Sequence, residues 1–143
     1  MQSSGGFQLQ RFVGAQEGTF ETALAELRAG EKRSHWMWFI FPQIAGLGRS
    51  PTAQYYAIRS ASEARAFLAH PLLGARYREV VEAARQWAGK KDVVAIFGEI
   101  DAVKLRFSLT LFEAVSGDPL FAATLNTFFE SPDPETLRLL KQI

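Results

Sequence analysis

Residues 34–43, SHWMWFIFPQ, place Trp36, Met37, Trp38, Phe39 and Phe41 within ten positions, a density of large apolar side chains that water-facing helices and loops do not carry. Trp36, Trp38 and Ile40 alternate with Met37, Phe39 and Phe41, but both sets are apolar, so the alternation separates no wet face from a dry one. The segment is therefore expected to be helical or irregular and buried. Two of the three tryptophans lie here beside His35, one of two histidines. The run is either an aromatic core element or the wall of a pocket on which flat groups stack.

What covers this segment is expected to be helical, because the apolar spacing elsewhere has a helical period. Leu9, Phe12, Val13 and Gln16 form a short first face, and Phe20, Ala23, Leu24 and Leu27 repeat at i, i+3, i+4, i+7, with Thr19 placed to cap that helix and Gly30 to end it. Ser60 and Glu63 have the spacing of a reciprocal capping box ahead of Ala64, Phe67 and Leu68. His70-Pro71 interrupts, and proline at a first helical position opens a longer helix with Leu73, Tyr77, Val80, Ala84 and Trp87 along one side. Asp92 caps a short piece, Val93 to Phe97, that Gly98 closes before the most hydrophobic helix, about Glu99 to Val115. Asp118-Pro119 and Asp133-Pro134 each set a capping carboxylate before a first-turn proline, opening two last helices. With no internal repeat or linker, the reading is an all-α fold: a single compact domain of short packed helices around an aromatic-rich core over residues 7–143, with residues 1–6 a disordered tail.

A chain of 143 residues is long enough to bury such a core without staples, and cysteine is absent, which removes disulfides, thiolate nucleophiles and zinc-thiolate sites. Sixteen basic against fifteen acidic residues leave a formal charge of +1, so a nucleic-acid partner is not expected. No run approaches the length of a membrane span, and the expected location is the cytoplasm. Two histidines without H-x-x-x-H or paired D-x-D spacing give a metal no ligand set, and no cofactor motif is present.

Polar residues that break the apolar pattern are the candidates for chemistry. On the Glu99–Val115 helix, Arg106, Thr110 and Glu113 gather on one side, while Asp101, Lys104 and Ser108 fall on the apolar side with Leu105, Leu111, Phe112 and Val115. Neither charge sits alone in a core without a large desolvation cost, so Asp101 and Lys104 are expected either to pair internally or to line a wet pocket. His35 and Asp101 are the possible acid or base. A Ser34-His35-Asp101 triad is not expected, because no G-x-S-x-G or related nucleophile turn surrounds Ser34. His70 reads as a helix-boundary residue. Gly46-Leu47-Gly48-Arg49-Ser50-Pro51 has glycines and a cation in common with phosphate loops. However, Pro51 stands where a dinucleotide fingerprint needs its third glycine, so a tight turn with Ser50 or Thr52 capping the next helix is the better reading. Arg49 remains the expected anion contact.

SHWMWFIFPQ, GLGRS, Tyr56-Ala57-Ile58, His70-Pro71-Leu72-Leu73-Gly74, Ile96-Phe97-Gly98 with Asp101 and Lys104, and Thr110-Leu111-Phe112 together resemble the bacterial family catalogued as domain of unknown function 1810, from about Phe7 to Leu140. The resemblance implies a compact, mostly helical single domain and no established activity. The chain departs from the usual family pattern at Phe107, where a serine is often seen, and at Tyr77, where leucine is common.

The functional expectation is a small-molecule site for an anionic, nucleotide-like or ADP-ribose-like ligand. Trp36 and Trp38 would form stacking walls, Gln43, Arg49, Lys104 and Ser108 would make polar contacts, and His35 and Asp101 would exchange protons. The alternative is a non-enzymatic interaction or structural domain that self-associates through its aromatic surface.

Overall fold

Wherever the sequence sets a serine or aspartate ahead of an apolar helical repeat, the chain enters a helix through extended backbone with that side chain accepting a first-turn N–H. Ser50, Ser60, Asp92, Asp118 and Asp133 all do so. A computed structural model describes residues 7–142; the tail expected over residues 1–6 lies outside the described residues, as does Ile143. Ten helices are found among them: α1 (Gln10–Gln16), α2 (Phe20–Arg28), α3 (Met37–Ile40), α4 (Pro51–Tyr56), α5 (Ala61–Ala69), α6 (Leu73–Arg85), α7 (Val93–Phe97), α8 (Glu99–Ser116), α9 (Pro119–Phe128) and α10 (Pro134–Lys141). They comprise 65% of the described residues, none of which forms a strand, so the fold is all-α as expected. One isolated parallel bridge joins Ile44 and Ile58, with the Ala45 N–H donating to Ile58 O at 2.8 Å and the Ile58 N–H to Gln43 O at 2.9 Å.

The longest helix, α8, is the axis of the packing, with α5, α7, α9 and α10 laid against it, while α6 packs on α2, α5 and α9. This arrangement corrects the two-sided pattern expected for α8 at one position. Thr110, assigned to the polar side with Arg106 and Glu113, is buried, because the start of α10 covers it and the Asp133 N–H donates to its Oγ1 at 2.9 Å. At the centre, the Tyr77 ring of α6 touches Phe41, Phe67, Phe112 and Phe121 at centroid distances of 4.6–6.1 Å. Its hydroxyl reaches Ser108 Oγ at 2.8 Å, so the polar atom that tyrosine brings into the core has a partner. Burial pushes the Tyr77 phenol well above its ordinary pKa, and the bond to Ser108 offsets this only in part.

Three local expectations are corrected. Thr19 holds the N-cap position of α2, but its side chain makes no capping bond. Helix α6 begins at Leu73 rather than Pro71, and the boundary residue His70 supplies the cap, its Nδ1 accepting the N–H groups of Leu72 and Leu73 at 3.1 and 3.2 Å. Of the capping box, Ser60 does its part at 3.0 Å, whereas the Glu63 carboxylate takes the Arg59 N–H at 2.8 Å and pairs with Arg11 at 3.0 Å, because α1 lies close enough to compete for it.

The turn between α5 and α6 depends on Gly74, where a Cβ would stand 2.0 Å from the Leu68 carbonyl oxygen, a backbone atom that cannot swing away. Gly74→Ala is expected to lower unfolding stability by about 1–3 kcal/mol, the usual penalty for overpacking. Gly14, inside α1, has nothing within 4 Å of an added Cβ. Gly14→Ala is therefore expected to raise stability by about 0.5–1 kcal/mol through the lost entropy of the unfolded chain. Urea titration of the two variants measures both, and a Gly74→Ala protein as stable as the parent would refute the close approach of α5 and α6.

Candidate functional site

The site is organised by a carboxylate that the sequence reading passed over. Helix α2 ends at Arg28, and two residues on Gly30, with a φ of +76°, turns the chain back along the helix it has just left, so residues 33–36 run past Glu26. Glu26 Oε1 accepts from the Arg33 N–H at 2.8 Å, the Ser34 N–H at 3.1 Å and the Trp36 indole N–H at 2.9 Å, and Oε2 accepts from the Ser34 hydroxyl at 2.6 Å. Burial alone would raise the pKa of this carboxyl, but the four hydrogen bonds outweigh it and hold the group at about 2. With Trp36 anchored and fully buried, its neighbours point elsewhere: His35 is exposed and Trp38 is half-buried.

Lys32 links this segment to α7 and α8. Its backbone N–H donates to Ile96 O at 2.8 Å; its ammonium donates to Ser34 O at 2.5 Å, lies 4.8 Å from the Trp36 ring centroid and meets Asp101 Oδ2 at 2.8 Å. Asp101, in the first turn of α8, also faces Lys104 across 3.7 Å, and the Lys104 ammonium lies 4.9 Å from the Trp38 ring centroid. The result is a cleft of about 480 Å³ with Met37 and Phe97 among its apolar walls and His35, Trp38, Asp101 and Lys104 among its functional side chains.

Four sequence-expected residues thus converge, and four do not. Trp36 is core, wholly buried and bonded to Glu26. Ser108 is buried with its hydroxyl on Tyr77. Gln43 is half-buried with its backbone in the Ile58 bridge. Arg49 is exposed on its loop and does not line the cleft, while the adjacent Ser50 caps α4 as the turn reading expected. The Ser34 hydroxyl donates to Glu26, which leaves no Ser-His relay. The Asp101–Lys104 pair exists, but the shorter bond to Asp101 comes from Lys32. Neither Glu26 nor Lys32 interrupts an apolar pattern; the only sequence signal for them was the Gly30 turn, which says that the chain reverses but not onto what. Among the described residues no three of histidine, cysteine, aspartate and glutamate gather closely enough to hold a metal ion. No helix among them is long and apolar enough to cross a membrane.

Fold and cleft together define an all-helical protein with a small, mixed-charge, aromatic-edged cleft at the start of its longest helix. Residues 6–140 match the family described as protein of unknown function (DUF1810), and the chain belongs to that family. It is similar to the crystal structure of the conserved hypothetical protein Rv1873 from Mycobacterium tuberculosis, with 43% identity and a TM-score of 0.91 over 94% of this chain and 97% of that one. Among curated proteins, none matches this sequence.

Because the Glu26 pKa is about 2 in the fold against an ordinary 4.5, its contribution to stability is present above pH 4.5 and lost as pH falls toward 2. Glu26→Gln keeps an oxygen for the N–H donors but removes the charge. It is expected to cost about 1–3 kcal/mol at pH 7, with the gap to the parent closing as both are titrated from pH 4.5 to pH 2. Chemical unfolding at several pH values checks this, and a gap that stays constant would mean the carboxylate is not held as described.

Proposed function

We propose that the cleft between residues 35–38 and the start of α8 binds a small anionic molecule carrying a flat group, of the nucleotide-like or ADP-ribose-like kind. The observation that carries this reading is the unequal use of the two lysines on Asp101. Lys32 has a 2.8 Å ion pair, a carbonyl acceptor and a side chain only 7% exposed. Lys104 has a 3.7 Å approach to the same carboxylate, an indole face and a side chain 23% exposed, so its ammonium retains hydrogen-bonding capacity toward the cleft. The two lysines balance Asp101 and Glu99 in the cleft walls, so recognition depends on the position of the Lys104 charge rather than on a net field. Asp101, tied to two ammonium groups, orients Lys104. Proton exchange with the ligand falls to His35, the exposed imidazole of the lining, and Trp38 and Met37 supply apolar contact for a ring.

A second reading, an interaction domain, draws on Ile100 and Val103, which are 75% and 48% exposed and three residues apart on α8 beside the same cleft. Lys104→Met distinguishes the two readings. Asp101 keeps Lys32 as its partner, so the variant is expected to melt within the range of a change of about 1 kcal/mol. Its affinity for ADP-ribose or AMP, measured by calorimetry, is expected to fall by about 1.5–3 kcal/mol, the worth of a charged hydrogen bond. A variant that melts far lower while its folded fraction binds normally, or a parent protein that neither nucleotide stabilises in thermal-shift assays, would defeat the small-molecule reading.

A further inference from the structure

A second cavity, of about 660 Å³, lies between α1 and the α4–α5 connection and shares no lining residue with the cleft at α8. We propose that it binds an oxyanion, carboxylate or phosphate, carried on a flat ring. Arg11 and Glu63 pair at 3.0 Å with side chains only 8% and 4% exposed. The Arg11 guanidinium also donates from Nε to Tyr55 O at 2.8 Å, from Nη1 to Gln8 O at 2.7 Å and from Nη2 to Ala57 O at 2.9 Å. An arginine has five N–H groups. Three of them donate to carbonyl oxygens and Nη1 also meets the Glu63 carboxylate, whereas the second N–H of Nη2 has no acceptor among the described residues. Glu63 Oε2 faces Arg11 Nη1 and Oε1 accepts the Arg59 N–H, and no bond from Glu63 to Nη2 is formed.

The rest of the wall is also rich in donors. The exposed Arg59 guanidinium makes one 3.2 Å bond to Gln54 O and has no acidic partner among the described residues. Ser60 Oγ accepts the Glu63 N–H, which leaves its O–H to be given. Two guanidinium groups therefore stand against one carboxylate, and Arg11, Arg59 and Ser60 each retain a donor. Such a wall is completed by an anion rich in acceptors, not by a cation or a neutral donor.

The ring follows from Tyr55. It is 57% exposed, yet it is held edge-on against Tyr56 with centroids 4.8 Å apart and planes at 83°. A phenol already fixed by a neighbour offers stacking area without losing much further freedom on binding. Gly14, also in the lining, has no side chain, and a Cβ added there would meet nothing within 4 Å, which leaves room for a flat group.

The test is a 15N NMR titration of the whole chain with phenyl phosphate, benzoate and inorganic phosphate as separate probes. Saturable shifts at the amides of Gly14, Tyr55 and Arg59 with at least one aryl probe are expected, and the tighter of the two aryl probes identifies the oxyanion. Arg59→Gln is expected to weaken that probe at least tenfold. Tyr55→Ala is expected to weaken the aryl probes but not inorganic phosphate, and Lys104→Met to change nothing. Arg59 and Tyr55 are both exposed, so their variants keep the fold, which unchanged shifts elsewhere in the spectrum verify. Absence of saturable shifts with all three probes, shifts centred on the cleft at α8, or an Arg59→Gln protein that binds as the parent does would overturn the site. Inorganic phosphate bound as tightly as phenyl phosphate, with Tyr55→Ala neutral, would overturn the ring.

Discussion

The Glu26 carboxylate is the interaction on which the candidate cleft depends. A tryptophan buried as deeply as Trp36 needs an acceptor for its indole N–H, and a segment that leaves a helix at Gly30 and re-enters one at Met37 has backbone amides with no ladder to join. One ionised side chain meets both needs, accepting two backbone N–H groups, a hydroxyl and the indole. Because these bonds favour the charged form more strongly than burial opposes it, the carboxyl stays ionised across the physiological range. The consequence for the cleft is directional: with Ser34 and Trp36 held inward, His35 is turned out and Trp38 is set against Lys104.

Helix α8 carries the other wall, and its polar residues divide by depth. Near its start, Asp101 and Lys104 remain partly accessible and meet charged or aromatic partners. One and two turns further on, Ser108 and Thr110 are fully inside, where they join the helix to α6 and to the start of α10 through Tyr77 and Asp133. An ion pair of the Lys32–Asp101 kind adds little net stability once desolvation is counted, and its structural effect is to fix where the second lysine stands. The Tyr77–Ser108 contact also gives the tyrosine at that position its physical reason: the hydroxyl is tolerated in an aromatic core because a serine faces it.

Elsewhere in the chain, buried polar groups likewise tie separate elements together through hydrogen bonds and ion pairs. Arg11 and Glu63 fasten α1 to the segment between α4 and α5. Gln16 donates to Phe39 O and accepts from Arg76, bringing α1, the aromatic segment and α6 together. No buried side-chain nitrogen or oxygen among the described residues lacks a hydrogen bond. In so small a protein, these polar ties set the angles at which short helices meet, because four- to nine-residue helices have too little apolar face to fix a packing geometry alone.

Several features could be read from the sequence by itself, for local reasons. Helical class follows from apolar spacing, and helix starts follow from Ser50, Ser60, Asp92, Asp118 and Asp133, because a cap acts on amides two or three residues away. Membership of the Asp101–Lys104 pair follows from positions three apart on one helix. The tertiary structure alone decided the rest. Helical periodicity states that a face is apolar but not what covers it, so Thr110 could be read as exposed until α10 was seen lying on it. Density of aromatics states that a segment is buried but not which indole faces inward, so Trp36 and Trp38 looked equivalent until Glu26 was found to hold only one of them. Arg49 and Lys104 are both cations near glycine-containing turns, and only the return of the chain at Gly30 brings His35 and Trp38 beside Lys104 and leaves Arg49 outside the cleft. Contacts between residues distant in sequence depend on the directions of whole helices, and no short stretch of residues encodes such a direction.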